Sequence, residues 1–379
     1  MSRRHRFVVL GFGCCLQVIA AVAWHPAIAG DARRQQIGHA IAAAMEEHGV
    51  PGASLAIVNH GNIDWAEGYG RLAATGDDMV TSETLFQAAS ISKPVTAAGA
   101  LSLVEVGKLD LDAKVNDLLK SWKIPDNATT KEHPIKLRHL LSHTAGLTVH
   151  GFPGYAQDAS RPSLLEILDG KEPANTRAIQ PHLKPGYRFL YSGGGYCVLQ
   201  QLLLDTTESP FPQFMQTRVL APLGMSHSTY EQPLPQTRAG QSAKGHREKK
   251  AVILGGCNVY PEMAAAGLWT TPGDLATFAI DLSKSFTGKG GKLLSQNTVR
   301  QMLTAEKGTY GLGLAVRGEG EALAFSHGGA NEGYRCLMIA YPATGQGLAI
   351  MTNSDTGGAM FNDVVKLVGE LYQWPKSKP

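Results

Sequence analysis

Cysteine is scarce in this 379-residue chain, charge is low, and the longest apolar run is confined to the N-terminus. Of five cysteines, Cys14 and Cys15 lie in that run, which leaves Cys197, Cys257 and Cys336 far apart in sequence. With no CxxC pair, a zinc site is disfavoured; buried thiols, or one disulfide beside one free thiol, fit the odd remainder equally. Charged residues make up only 18% of the chain against 43% hydrophobic, which excludes disorder as the main state. Glycine has no three-residue period and no heptad is sustained, so collagen-like and coiled-coil classes fall away. Internal repeats and low-complexity tracts are missing too. So are a G-x-S-x-G elbow, a Walker loop, an H-E-x-x-H pair and a G-x-G-x-x-G ahead of a helix.

A real excess of charge is also lacking. The formal net charge is +3, yet Arg3, Arg4 and Arg6 precede the apolar run Phe7 to Ala23, and Ala27-Ile28-Ala29 reads as a small-x-small cleavage site. That order of charge, apolar stretch and cut site is a secretory signal peptide over residues 1–29. Its removal takes three positive charges and no negative ones, leaving a mature chain without net charge. Nucleic-acid binding loses its electrostatic basis, and the expected location is exported, periplasmic or secreted. The other reading is an uncleaved anchor. Gln17 interrupts the run, which is short against the roughly 20 residues of a span, so no stable membrane span is expected after cleavage.

The chain has a core-forming composition and, over all 379 residues, a mean hydropathy of −0.11. Ile37, Ile41 and Met45 recur at helical spacing, and Gly49-Val50-Pro51-Gly52 ends that segment. Ala53 to Val58 and Ile63 to Tyr69, joined by His60-Gly61-Asn62, predict a hairpin. From about 86 to 300 the pattern is mainly helical, for example at 95–106, 163–168, 196–204 and 274–282, with Lys244 to Lys250 a solvated loop or hairpin. After 308, short runs at 312–316, 322–325, 334–341 and 347–352 predict antiparallel strands, and 361–374 a closing amphipathic helix. The expected fold class is therefore α+β. A mixed, mainly antiparallel sheet comes from both chain ends (about 30–85 and 301–379), flanked by helices, and a large helical region is inserted at about 86–300. A catalytic cleft is expected between the two parts.

Three short segments could carry chemistry. Ser90-Ile91-Ser92-Lys93 places a hydroxyl and an amine on one helix face, three residues apart. A serine needs a base to become a nucleophile, and a lysine serves only if burial or a neighbouring cation lowers its pKa. Alone, the tetrapeptide equally suits a helix cap beside a solvated lysine. Tyr191-Ser192-Gly193-Gly194-Gly195-Tyr196 offers close backbone approach, or merely a turn before a helix. Ser326-His327-Gly328-Gly329-Ala330 sits between two β runs and reads as a strand-linking turn unless other motifs join it. His139 and His143, at i and i+4, could grip a metal, but no third ligand lies nearby, so a structural role is expected.

In their order and context these segments resemble the serine β-lactamase and penicillin-recognising superfamily. The likeness is to its class C-like branch of β-lactamase-related hydrolases, family VIII esterases and D-amino-acid-specific peptidases. It extends over nearly all of the mature chain. Besides the three motifs it includes LFQAASISKPVTAAGALSLVEVGKLDLDAKV, IKLRHLLSHTAGL (Ile135 to Leu147) and MAAAGLWTTPGDLATF (Met263 to Phe278). The resemblance implies Ser90 as acylated nucleophile and Lys93 with Tyr191 as the proton-handling pair, without deciding which is the general base. It implies the backbone N–H groups of Ser90 and Ala330 as an oxyanion hole. Gly193, His327, Gly328 and Gly329 become substrate-binding positions, His327 as a hydrogen-bonding group lining the cleft. No metal or organic cofactor is implied; the partner is a small acyl substrate, and the oligomeric state is left open.

Two departures bear on substrate. Gly193 stands where the family has an Asn whose amide contacts substrate and the catalytic lysine. His327 replaces the lysine of true class C β-lactamases, weakening a fixed positive site for a substrate carboxylate. Together they favour an esterase-type hydrolase over a β-lactamase or D-peptidase. Acyl transfer shares the same first half-reaction, and a non-catalytic protein on the same fold is the reading of another class. Selectivity is expected to lie in the loops 149–160, 232–250 and 254–261.

Overall fold

The computed structural model describes residues 26–376 together with Met1, and side chains from Gly30. The expected leader run, Phe7 to Ala23, lies outside the described residues. The first helix, α1 (Pro26–His48), already covers Ala27-Ile28-Ala29. Among the described residues no helix is long and apolar enough to cross a membrane.

Strands β1 (Gly52–Asn59) and β2 (Asn62–Gly70) form the expected hairpin. His60 and Gly61 both have positive φ, the conformation of the two-residue turn that matches strand twist. After two short strands, β3 (Phe86–Gln87) and β4 (Trp269–Thr270), come β5 (Ala315–Arg317), β6 (Ala324–Asn331), β7 (Tyr334–Tyr341) and β8 (Gln346–Thr352). The main sheet is antiparallel throughout, in the order β2-β1-β8-β7-β6-β5, and β3 pairs with β4 apart from it. The fold is thus the α+β arrangement expected, with the two chain ends meeting where Ala53 pairs with Thr352 and Val58 with Gly347.

β1 is buried on both faces, which explains its near-continuous apolar run. On one face Leu55 and Ile57 join Ile37, Ile41 and Met45 of α1 and Val364 and Val368 of the closing helix Phe361–Leu371. On the other, Ala56 and Val58 meet Ala276 of the helix Pro272–Phe286. Each fully buried aliphatic side chain here is worth about 1.5–3 kcal/mol of transfer free energy.

Two strand boundaries differ from the sequence expectation, and both matter at the site. β5 is only three residues long, because Gly311 to Leu314 forms a turn closed by the Gly311 N–H to Leu314 carbonyl bond, with Gly313 at φ +97°. β6, by contrast, continues through Ser326 to Asn331, so the His-Gly-Gly segment is strand and not a linking turn. Since β5 covers only Ala324 to Ser326, residues 327–331 have a partner on one side alone.

Candidate active site

The Ser90 turn is built by backbone constraint. Ala89 is fully buried with φ +47°, a left-handed conformation that costs an L-residue about 1–2 kcal/mol. Neighbouring bonds hold it there. The Ala88 N–H donates to Leu268 O (2.8 Å), Ser92 Oγ donates to Ala89 O (2.6 Å), and the Leu268 N–H donates to Ser92 Oγ (2.9 Å). Ser90 follows at the entrance of helix α2 (Ser92–Glu105) and remains partly exposed.

Lys93, one turn on, is 2% exposed. Its Nζ lies 3.0 Å from Ser90 Oγ and 2.8 Å from the carbonyl of Ala265, in the short helix Met263–Ala266. It also stands 4.9 Å from the Tyr191 ring centroid. The first two sequence motifs are therefore one cluster: hydroxyl, amine and phenol-bearing ring converge, so a proton can pass from Oγ to a base without passing through bulk water.

Tyr191 comes just before the helix Gly193–Thr207, whose N-cap is Ser192: the Gly195 N–H donates to Ser192 Oγ (2.9 Å). His143 sits against it, ring centroids 4.1 Å apart, and accepts the Ser192 N–H on Nδ1 (3.1 Å). That bond puts the imidazole proton on Nε2, which has no hydrogen-bond partner among the described residues. Tyr196, Tyr310 and Phe189 close around the ring. Burial first, then the Lys93 charge, push its pKa far down, so it is neutral. His139, its candidate metal partner in sequence, instead accepts the Lys136 N–H at the start of helix Leu137–Leu141.

β6 supplies the opposite wall. Asn331 and Tyr334 close a two-residue turn, so by antiparallel alternation Gly329 and Asn331 bond β7 while Gly328 and Ala330 turn their N–H and C=O to the open edge. The Ala330 N–H thus has the direction an oxyanion-hole donor needs. Gly329 is irreplaceable by geometry: a Cβ there would lie 2.3 Å from Ala88 O and 2.4 Å from Cys336 Sγ. The Cys336 thiol in turn donates to Ala88 O (2.9 Å), propping the Ser90 turn from behind. Cys197, Cys257 and Cys336 are all free.

His327 does not serve as the cleft-lining hydrogen-bonding group expected of it. It is 7% exposed, Nδ1–H donates to Gly328 O (2.6 Å) and Nε2 accepts from the Tyr310 hydroxyl (3.0 Å). Both nitrogens are consumed internally. Burial and the nearby Lys93 charge lower its pKa to about 3, so it carries no charge at neutral pH.

Other residues of the site gave no motif signal. Asn331 Nδ2 donates to Gln87 Oε1 (2.8 Å) and Ala266 O (3.1 Å), tying β6 to β3 and to the helix that holds Lys93. Glu262, at the N-cap of that helix, is fully buried, and neither carboxylate oxygen makes a hydrogen bond of good geometry. The Tyr155 phenol gives only partial relief, and burial raises the Glu262 pKa to about 7. His143 lay inside a family-like segment, but only a stacking partner distant in sequence reveals its place. The signal for Tyr310 and Asn331 is likewise tertiary.

An antiparallel sheet made from both chain ends, with a helical region carrying a Ser-x-x-Lys against β6, defines the β-lactamase/transpeptidase fold. The Beta-lactamase family profile matches residues 37–372, and the chain belongs to that family of β-lactamase-fold hydrolases. Penicillin-binding protein 4 of Amycolatopsis lactamdurans is 25% identical over 346 residues, 87% of this chain and 88% of that one. A D-amino acid amidase from Ochrobactrum anthropi SV3 superposes with a TM-score of 0.71 at 24% identity, covering 90% of this chain and 98% of that one. EstCE1, a hydrolase with promiscuous acyltransferase activity, gives 0.72 at 21%, covering 91% and 99%.

Proposed function

We propose that the chain is an exported serine hydrolase that forms an acyl-enzyme on Ser90 and has esterase-type activity on small acyl substrates. The observation that carries this reading is the 3.0 Å contact between Lys93 Nζ and Ser90 Oγ, with Nζ also beside the Tyr191 ring. Ser90 Oγ attacks the carbonyl carbon and its proton passes to the Lys93–Tyr191 pair. The oxyanion is received by the Ser90 and Ala330 N–H groups, each such donor typically worth about 3 kcal/mol. Collapse expels the alcohol, which takes the proton from the pair. Water then attacks the acyl-enzyme with its proton going to the same pair, and Ser90 is regenerated with release of the acid.

Esters are favoured over β-lactams and D-peptides because Gly193 offers no amide arm and His327 no positive charge. An alcohol or amine in place of water would turn the second half-reaction into acyl transfer. Export, to the periplasm or beyond, rests on the charge order and cleavage pattern of residues 1–29.

The test is turnover of a short-chain p-nitrophenyl ester by residues 30–379 beside Ser90→Ala, with labelling by a fluorophosphonate. Turnover and label should both vanish in the variant. Label retained at another serine sinks the reading.

A further inference from the structure

Gly193 is closed in by the loop that faces it. A Cβ built there would lie 2.8 Å from Phe152 Cε2 and 2.9 Å from the His150 carbonyl. The place of a side chain two residues after Tyr191 is therefore filled by the ring of Phe152. The ring is half-buried, with one part packed on the main core and the rest open.

The loop that carries it is fixed on both sides. Before Phe152, Val149 is held at φ +65°, costly for a β-branched residue, and the Val149 and His150 carbonyls accept the N–H groups of Gly194 and Gly193 (3.0 Å each). After it, the Pro153 carbonyl accepts from Asn258 Nδ2 (3.2 Å) and the Tyr260 hydroxyl (3.3 Å), and Tyr155 pairs with Val259 in both directions. A wall so anchored is preorganised, so it adds little ordering cost on binding.

The same contacts use up the donors at the Gly193 end of the site. The N–H groups of Gly193, Gly194 and Gly195 at the helix start are all taken. Lys93 is engaged with Ser90 and Ala265, and His327 is sealed by Tyr310 and Gly328. A carboxylate packed on the Phe152 ring would give up water to an apolar surface, with only the exposed His150 imidazole, 4.9 Å from the Tyr191 ring, as a polar neighbour on this side among the described residues.

We infer that Phe152 is a specificity-determining residue, and that the acyl group taken beside Ser90 is uncharged and apolar, aromatic or branched, packing on the Phe152 ring. This rests on the serine-hydrolase reading above and names its substrate class.

The experiment compares kcat/KM for p-nitrophenyl acetate, phenylacetate and hemisuccinate, one leaving group with three acyl groups, in wild type, Phe152→Ala and Phe152→Leu. Wild type should prefer phenylacetate to hemisuccinate by roughly 100-fold, near the upper reach of a hydrophobic pocket. Phe152→Ala should lose about tenfold more on phenylacetate than on acetate, and Phe152→Leu should recover most of that difference. Equal losses on both neutral esters would make the ring merely structural and overturn the inference, as would a wild-type preference for hemisuccinate or an unchanged ratio in Phe152→Ala. Fluorophosphonate labelling separates the two levels. If wild-type Ser90 is not labelled, the hydrolase reading falls and takes this one with it. If Ser90 is labelled and the ratio does not move, only the role of Phe152 falls. Thermal unfolding of both variants identifies one that has failed to fold, and the Leu variant then carries the comparison.

Discussion

His143 stacks on Tyr191 at 4.1 Å between ring centroids and, through Nδ1, holds the backbone N–H of the next residue, Ser192. One neutral imidazole thus fixes both the face of the phenol ring and the chain direction at the helix start, without adding a second cation beside Lys93. His143 is a positioning residue for Tyr191.

Replacing it should therefore affect rate more than binding. His143→Val removes the stack and the acceptor and also puts a β-branched residue at φ +57°. Kcat on a p-nitrophenyl ester should fall by about 10- to 100-fold, the scale of a small misplacement of reacting groups, with KM little changed. His143→Asn tolerates that φ and offers an acceptor, and should recover part of the loss. Equal kcat in wild type and His143→Val, with both folded, would refute the role.

The two glycines of β6 should behave differently. Gly329→Ala drives a methyl into Ala88 O and Cys336 Sγ, behind the Ser90 turn, while a Cβ at Gly328 has its nearest neighbour, Cys336 O, at 3.7 Å. We expect Gly329→Ala to lose roughly 100-fold or more in kcat/KM and most fluorophosphonate labelling, and Gly328→Ala to lose far less. Comparable losses would mean that close approach at residue 329 is not what the site needs.

Glu262 predicts a stability loss as pH rises from about 4.5 through 7. Its folded pKa is raised to about 7 from 4.5 by burial. The folded state thus keeps a proton that the unfolded chain releases, and the stability from this group is full below about pH 4.5 and lost as pH rises through 7. The linkage is on the order of 3 kcal/mol. Glu262→Gln should abolish this slope, so that Tm between pH 5 and pH 7.5 falls less in the variant than in wild type. Parallel Tm profiles would show that the carboxyl stays ionised at no cost.

Buried histidines predict the opposite slope in acid. Burial lowers the pKa of His327 to about 3 and, with Lys136 and Arg138 nearby, that of His139 to about 4, against 6.5 for a free imidazole. Unfolded rings take protons that the folded rings refuse, so this stability is present above about pH 6.5 and lost as pH falls toward 4 and 3. His139→Gln should flatten the decline in urea midpoint between pH 7 and pH 4.5 relative to wild type. An unchanged difference would show that His139 titrates alike in both states.

Local pattern was enough for much of this architecture. The β1–β2 hairpin, the helix beginning near residue 30 and strands β7 and β8 each declare themselves by alternation or period within a few residues. The extent of β6 did not, because Gly328 and Gly329 have low strand propensity and are tolerated only where the strand is pressed against Ala88 and Cys336. The convergence of Ser90, Lys93 and Tyr191 was legible through motif order. The use made of His327 was not: its capture by Tyr310 and by the Gly328 carbonyl is tertiary, and no spacing in the sequence joins residues 310 and 327. The same holds for Phe152, an unremarked aromatic in a loop until Gly193 is seen to lack the room for a side chain.

The pairing of β1 with β8 also sets when this fold can close. Ser90 is synthesised in the first quarter of the sequence, yet the strand that backs its turn ends at residue 331, and β1 finds its inner neighbour only once residues 347–352 exist. Until those residues are made, Ser90 lies on a turn without its backing strand and β1 is open along one edge. The sheet that backs the Ser90 turn is therefore complete only when the last strand, β8, slots in between β1 and β7.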